Sequence, residues 1–308
     1  PPFSGQIVNG ELWGRGSMDM KGAVACMVYA TALLKQLDIT PPGDVLMTVP
    51  VMEETGGTGT RHLAFCLKAA VAICGEASHN TLRRGHRGRV ELLITFKGRS
   101  AHASVPHLAI NPHYEAAHFL SRLTSLRFAQ DEVLGMSSVA PTLYRTDQVS
   151  ANVIPSEVYL ILDWRNVPNE SPEKIVAQIQ ALLDSCLVNR RCQGTVEINR
   201  AKFITYTGFA ETIPSILPSY LLPENNPFIQ TANTTLTKIL GRDAGLDIWQ
   251  FATDGGHLMA AGIPTIGFGP GNEQLAHTNQ ERISLAEMVE ALGAYTALIL
   301  ALGEQAAR

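Results

Sequence analysis

Apolar positions recur along the chain with two periods, and the switches between them predict its elements. A short hairpin is expected where Asn9-Gly10 separates Gln6-Ile7-Val8 from Glu11-Leu12-Trp13. Apolar residues over 23–37 recur at helical spacing, so Gly14-Arg15-Gly16-Ser17-Met18-Asp19-Met20-Lys21-Gly22 reads as a loop opening on a helix. The apolar run 45–49 reads as a strand that delivers Glu53 and Glu54 at its C-terminal end. Gly56, Gly57 and Gly59 then let the backbone turn tightly into a helix over 59–70. A second buried strand, 70–76, ends at Glu76. Apolar strands alternating with helices indicate an α/β domain, a mostly parallel sheet with helices on both faces.

The pattern changes near Gly85. Strands over 87–97, 139–146, 158–166 and 194–203 are expected, with helices over 111–126 and, behind Ser171, over 172–188. The order β-α-β-β-α-β is the ferredoxin-like pattern of a compact inserted α+β domain, placed at 86–205 between the halves 1–85 and 206–308 of the first domain. A proline-rich segment, 213–227, returns the chain to that first domain. A helix over 227–240 and strands over 246–251 and 263–268 follow, the last ending in Gly269-Pro270-Gly271 shortly before His277-Thr278. Ser284 and Glu287 form a capping box, and the apolar run 291–302 behind it is too short to span a bilayer and reads as a buried helix.

Composition narrows the function classes. The 308 residues suggest two domains, and 45% apolar with 17% charged residues is an ordinary globular balance. A net charge of −4 argues against nucleic acid or an anionic membrane as the main partner and favours a small molecule. Five cysteines without a C-x-x-C pair signal neither a disulfide framework nor a zinc ribbon, and fit the cytoplasm. No G-x-x-x-x-G-K-[ST], G-x-G-x-x-G or G-x-S-x-G motif is present.

What chemistry the pattern offers lies on loops beside predicted strand ends and helix starts: Asp19, Glu53, Glu54, Glu76 and His277. Taken singly they have plain readings: an N-cap aspartate, a solvated Glu-Glu turn, a surface histidine. Together they suit zinc, cobalt or manganese, and a bridging aspartate can hold two ions about 3.5 Å apart. Neighbouring side chains on an extended segment point to opposite sides, so Glu53 and Glu54 can divide proton transfer and metal binding.

The motifs Gly14 to Gly22, Glu53-Glu54-Thr55-Gly56, Gly75-Glu76, Ser100-Ala101-His102, Asn152-Val153-Ile154-Pro155 with Asp163-Trp164-Arg165, and Gly269-Pro270-Gly271 with Ala276-His277-Thr278 occur in an order that resembles one metallopeptidase family. It is the family of acetylornithine deacetylase, succinyl-diaminopimelate desuccinylase, aminoacylase-1 and carboxypeptidase G, and the resemblance covers nearly the whole chain. It implies a zinc-peptidase-like catalytic domain with an inserted lid and dimerisation domain, two divalent ions per subunit, zinc first, and hydrolysis of an amide beside a carboxylate. Carried over by residue, Asp19 bridges the ions, Glu54 and His277 bind one, and Glu76 binds the other. Glu53 is the general base and His102 stabilises the oxyanion, reaching across a dimer interface. Asn152 and Arg165 hold the substrate carboxylate, and Gly269 to Gly271 line the same pocket; from the residues alone, Arg165 reads equally as a strand-face ion pair with Asp163.

Two departures stand out. The family's His-x-Asp motif is absent from residues 1–18, so the second ion's histidine is expected on a segment upstream of Pro1. The arginine that often follows Thr-Asp in desuccinylase-like relatives is replaced by Gly255, Gly256 and His257 after Thr253-Asp254, which weakens an acidic acyl group as the recognition handle; His257 reads equally as a pocket residue or a plain helix-start histidine. The leading expectation is a homodimeric deacylase of N-acyl amino acids, with a dipeptidase or carboxypeptidase as the alternative within enzymes and a non-catalytic scaffold as the alternative outside them.

Overall fold

The computed structural model describes residues 2–187 and 191–308. Its helices in chain order are α1 (Gly22–Gln36), α2 (Thr58–Cys66), α3 (Pro112–Leu123), α4 (Pro172–Cys186), α5 (Pro227–Leu240), α6 (Gly255–Ala260) and α7 (Leu285–Ala306). The chain divides into two units, the first running to His86 and resuming at Tyr220, the second running from Arg87 to Ser219. The stretch 206–219, expected in the first domain, lies in the second unit, because Ile216–Leu217 pairs with Arg89 and Val90 and Ala210–Pro214 pairs with Arg200–Ile204.

In the first unit, Tyr220–Leu221 and Leu246–Trp249 both pair with Leu82–His86, followed by Thr265–Gly267 and then Ala72–Cys74. Two of these pairings are parallel and two antiparallel, so the sheet is mixed, not mostly parallel as expected. The cause is the link 75–81, which is too short for a crossover and sends the chain back in the opposite direction. Helices α1, α5 and α7 share a core with the sheet through Ala30, Leu236, Leu298, Ile266 and Phe268. Helix α7 is long and apolar enough to cross a membrane by length and composition alone. Its buried stripe of Ala291, Ala294, Tyr295, Leu298 and Leu302 instead packs into this core, and the Tyr295 hydroxyl donates to the Phe268 carbonyl at 2.7 Å.

The expected strand over 45–49 does not form. Leu46, Val49 and Val51 are 57%, 61% and 67% exposed. A strand is held by ladder bonds to a neighbour. Among the described residues this run has none, and Ala72–Cys74 ends the sheet.

The second unit has the strand order Gln193–Ile198, Arg89–Lys97, Glu157–Arg165, Ser138–Thr146, every neighbour antiparallel. Along the chain this is strand, α3, strand, strand, α4, strand. Period-two alternation buries Val90, Leu92, Ile94, Val158, Leu160 and Leu162 with residues of α3 and α4. The alternate positions of the same strands carry Arg89, Glu91, Asp163 and Arg165, joined in ion pairs. Helix α4 starts with the Ser171 hydroxyl accepting from the Lys174 amide; Val188, its expected end, lies outside the described residues. The strand expected over 194–203 is split at Asn199, whose side chain donates to Glu91.

Candidate metal centre

Asp19 sits in the turn Ser17–Lys21 that leads into α1, and its backbone is held from below. The buried Glu281 carboxylate accepts from the amides of Met18 at 3.3 Å and Asp19 at 3.2 Å, while Arg15 pairs with its other oxygen at 2.5 Å. Glu53 and Glu54 lie in a single 3₁₀ turn, Glu53–Thr55, flanked by left-handed Met52 (φ 65°) and Gly56 (φ 114°). The turn, not a strand end, is what presents the two carboxylates. His277, itself left-handed at φ 59°, brings its Nε2 to 3.2 Å from Asp19 Oδ2 and 3.1 Å from Glu54 Oε2. Ligand atoms of Asp19, Glu54 and His277 thus lie within 4.8 Å of one another.

Glu76 follows the strand Ala72–Cys74 and is 7% exposed. It is not one of the three converging ligands, yet burial and then the charges of Glu53, Asp19, Asp254 and Glu54 push its carboxyl well above the usual range. Burial, followed by Asp254, Glu54 and Asp19, pushes Glu53 up to about 8. Asp19 is raised by burial and Glu54, partly offset by His277, and the imidazole of His277 is raised by its hydrogen bond to Glu54. Buried Glu76, half-buried Asp19, Glu53 and Asp254 and exposed Glu54 repel one another beside the His277 imidazole and form a cup that a divalent cation would neutralise. Two carboxylates and an imidazole suit zinc, cobalt or manganese, so the residues fit the implied metal.

Helix α6 closes the cup from the side of the glycine turn. Asp254 Oδ2 accepts from the Thr60 hydroxyl at 2.6 Å, and Oδ1 is buried without a hydrogen-bond partner. His257 Nε2 donates to the Gly56 carbonyl at 3.0 Å, which answers for this histidine: it clamps the turn that carries Glu53 and Glu54. Gly57 is obligatory here, since a Cβ would collide with Asp254 Oδ1 and lie 2.7 Å from His257 Cδ2. Sequence reasoning missed Glu281, Asp254 and Thr60 as supports. Gly269 approaches the Glu76 backbone so closely that a Cβ would strike its carbonyl oxygen. The amides of Gly269 and Gly271 are taken by Ser78 Oγ at 3.0 Å and Glu287 Oε2 at 2.7 Å.

The remaining expected residues belong to the second unit. Arg165 is engaged by Asp163 through Nε at 2.7 Å and Nη2 at 3.2 Å, the strand-face ion pair. His102 and Asn152 lie together, Asn152 Nδ2 standing 3.5 Å from His102 Nε2.

A mixed α/β scaffold that gathers acids and one imidazole into such a cup is that of a metal-dependent hydrolase. The chain matches Peptidase family M20/M25/M40 over residues 1–301 and belongs to that family. It is 26% identical over 322 residues to the N-formyl-4-amino-5-aminomethyl-2-methylpyrimidine deformylase of Bacillus subtilis (strain 168), covering 97% of this chain and 72% of that one. Its fold is similar to that of aminopeptidase PepT from Bacillus cereus ATCC 10987, with a TM-score of 0.75 at 18% identity over 98% of this chain and 76% of that one. It is also similar to Bacillus subtilis YxeP, a dinuclear metal-binding peptidase of family M20, with a TM-score of 0.67 at 16% identity over 92% and 72% of the two chains.

Proposed function

We propose that this protein hydrolyses the amide of an N-acyl amino acid, using two divalent ions, zinc first. The observation that carries the reading is the convergence of Asp19, Glu54 and His277 beside half-buried Glu53 and buried Glu76. Asp19, Glu54 and His277 would hold one ion, and Asp19 with Glu76 would serve the other. Ions bound there lower the pKa of water and polarise a carbonyl. Glu53, half-buried and pushed up by burial and its acidic neighbours, would ionise once cations neutralise those neighbours, take the proton from the attacking water and return it to the leaving nitrogen. His102 of the second unit, an inserted lid in this reading, would reach across a dimer interface and stabilise the oxyanion in the partner's site. The B. subtilis relative, a deformylase, supports an acyl amide over a peptide bond.

The same reading includes a homodimer formed through the second unit, supported by the edge strand Ser138–Thr146, which is exposed along most of its length. It places the protein in the cytoplasm, in keeping with five free cysteines. The test is a panel of N-formyl, N-acetyl and N-succinyl amino acids beside dipeptides and tripeptides, assayed with and without zinc. Turnover of acyl amino acids alone supports the proposal, and turnover of peptides alone replaces it with a peptidase. Glu53→Ala should cost about 10²–10⁴ in kcat while zinc stays bound; loss of zinc instead would make Glu53 a ligand.

A further inference from the structure

His86 closes the strand Leu82–His86, which pairs with three other strands of the first unit, and it is fully buried. Its Nε2 accepts from the Thr253 amide at 3.1 Å. A backbone hydrogen cannot rotate away, so the neutral ring carries its own hydrogen on Nδ1. The Thr253 hydroxyl, 3.0 Å from the same nitrogen, accepts in turn from the Gly255 amide at 3.1 Å. The imidazole also meets Tyr220 edge to face, ring centroids 4.7 Å apart, and Tyr220 closes over Gly255, where a Cβ would lie 2.9 Å from its hydroxyl. The start of α6 is thus seated against His86 and Tyr220.

Two side chains of the segment 253–257 reach the turn that carries Glu53 and Glu54. Asp254 accepts from the Thr60 hydroxyl at 2.6 Å and abuts Gly57, and His257 holds the Gly56 carbonyl at 3.0 Å. Gly56 and Gly57 close that turn, their amides donating to the Glu53 carbonyl at 3.0 Å and the Met52 carbonyl at 2.9 Å. Within the segment, the His257 amide donates to the Asp254 carbonyl at 3.0 Å and the Gly256 amide to the Thr253 carbonyl at 3.2 Å. A line of hydrogen bonds therefore runs from a well-paired strand, through the Thr253 amide and the first turn of α6, to Gly56 and Glu53. A core histidine valued only for its bulk would fill the same space without the first of these bonds.

We infer that His86 is a positioning residue for Glu53: by holding the Thr253 amide it fixes the segment 253–257, which in turn fixes the turn that presents Glu53 and Glu54. Its effect on rate rests on the proposed hydrolysis, while the hydrogen-bond link stands apart from it. Without the acceptor on His86 the buried Thr253 amide is unpaired, and the segment shifts to find another partner. A displacement of about 1 Å at a catalytic group is enough to cost about 10²-fold in rate.

Two amide swaps separate an acceptor from mere bulk. In His86→Gln the side-chain oxygen reaches the place of Nε2, whereas in His86→Asn it reaches only that of Nδ1. Hydrogen exchange of the full chain with zinc, read over 52–60 and 253–260, should be about tenfold faster in His86→Asn than in wild type and within about threefold of wild type in His86→Gln, with α5 and α7 unchanged in both. On whichever substrate the panel identifies, His86→Asn should lower kcat by about 10- to 10²-fold while KM stays within about threefold, and His86→Gln should recover most of the loss. Exchange that is equal in all three proteins, or that quickens by the same factor in α5 and α7, reduces His86 to an ordinary core residue and overturns the inference. So does a glutamine variant no better than the asparagine one, and so does a raised KM with kcat kept, which would put the segment 253–257 on the substrate and not behind Glu53. Exchange needs no substrate, so a panel without turnover would sink the proposed function and leave the His86 link to be judged by exchange alone.

Discussion

Glu281 holds no expected ligand position, yet it accepts from the amides of both Met18 and Asp19 and so sets where the Asp19 carboxylate stands. Removing it leaves these donors unpaired, at about 1–3 kcal/mol for each buried group. Glu281→Ala should weaken zinc binding about 10- to 100-fold, and Glu281→Gln, which keeps an acceptor, should recover much of that loss. Competition with a chromophoric chelator measures it, and wild-type affinity in the alanine variant would dismiss the role. His257 offers a pH test. Burial lowers its pKa, against the hydrogen bond to Gly56 and the charge of Asp254, with Arg61 adding a smaller push in the same direction as burial. A depressed folded pKa means that its contribution to stability is full above the unfolded value of about 6.5 and is lost as pH falls toward the folded value, because the unfolded chain takes up the proton first. Urea unfolding at about pH 7.5 and about pH 5.5 should show a smaller loss for His257→Gln than for wild type; equal losses would mean that the ring does not titrate with folding. Asp19, Glu54 and His277 were legible because their residue types and motif order advertise ligands. Glu281 and Asp254 were not, since an acid that supports a backbone looks no different in sequence from one on a solvated turn.

Among the elements, α7 shows how a local signal can be read correctly and still be put to an unforeseen use. The capping box was legible as Ser284 and Glu287, and the Ser284 hydroxyl does accept from the Glu287 amide at 3.3 Å. The Glu287 carboxylate, however, turns to the Gly271 amide at 2.7 Å and to His79 at 3.2 Å, tying the loop after Thr265–Gly267 to the helix start. Ser284→Ala should therefore cost about 1 kcal/mol as an ordinary N-cap loss, read by urea unfolding, without disturbing the Gly271 contact. A much larger loss would show that the cap also holds the loop. The Asn9-Gly10 hairpin was equally legible, because only a left-handed pair, here φ 53° and 78°, makes that turn. The run 45–49 was misread as a strand for the opposite reason: its apolar pattern is local, but a strand exists only if another segment offers it a ladder. Sheet direction was likewise fixed by the length of the link 75–81, which periodicity does not report.

At the scale of the whole molecule the two units carry different debts. The second unit buries an aliphatic layer between its sheet and α3 and α4, with its charged strand face internally paired. The first unit has a comparable core but also a cup in which Asp19, Glu53, Glu76 and Asp254 are all pushed above their usual pKa values. Proton uptake or a bound cation relieves that repulsion, and only the folded chain gathers these acids. Zinc should thus stabilise by mass action, about 2.7 kcal/mol at a hundred times its dissociation constant. Hydrogen exchange with and without zinc reads where the effect falls. Slower exchange is expected in the turns 17–21, 53–57 and 277–281, with the amides of α3 and α4 unchanged, since Asp19, Glu54, Glu76 and His277 all belong to the first unit. Protection confined to the second unit would place the metal elsewhere, and no protection at any zinc concentration would leave the acids without a partner that accounts for their gathering.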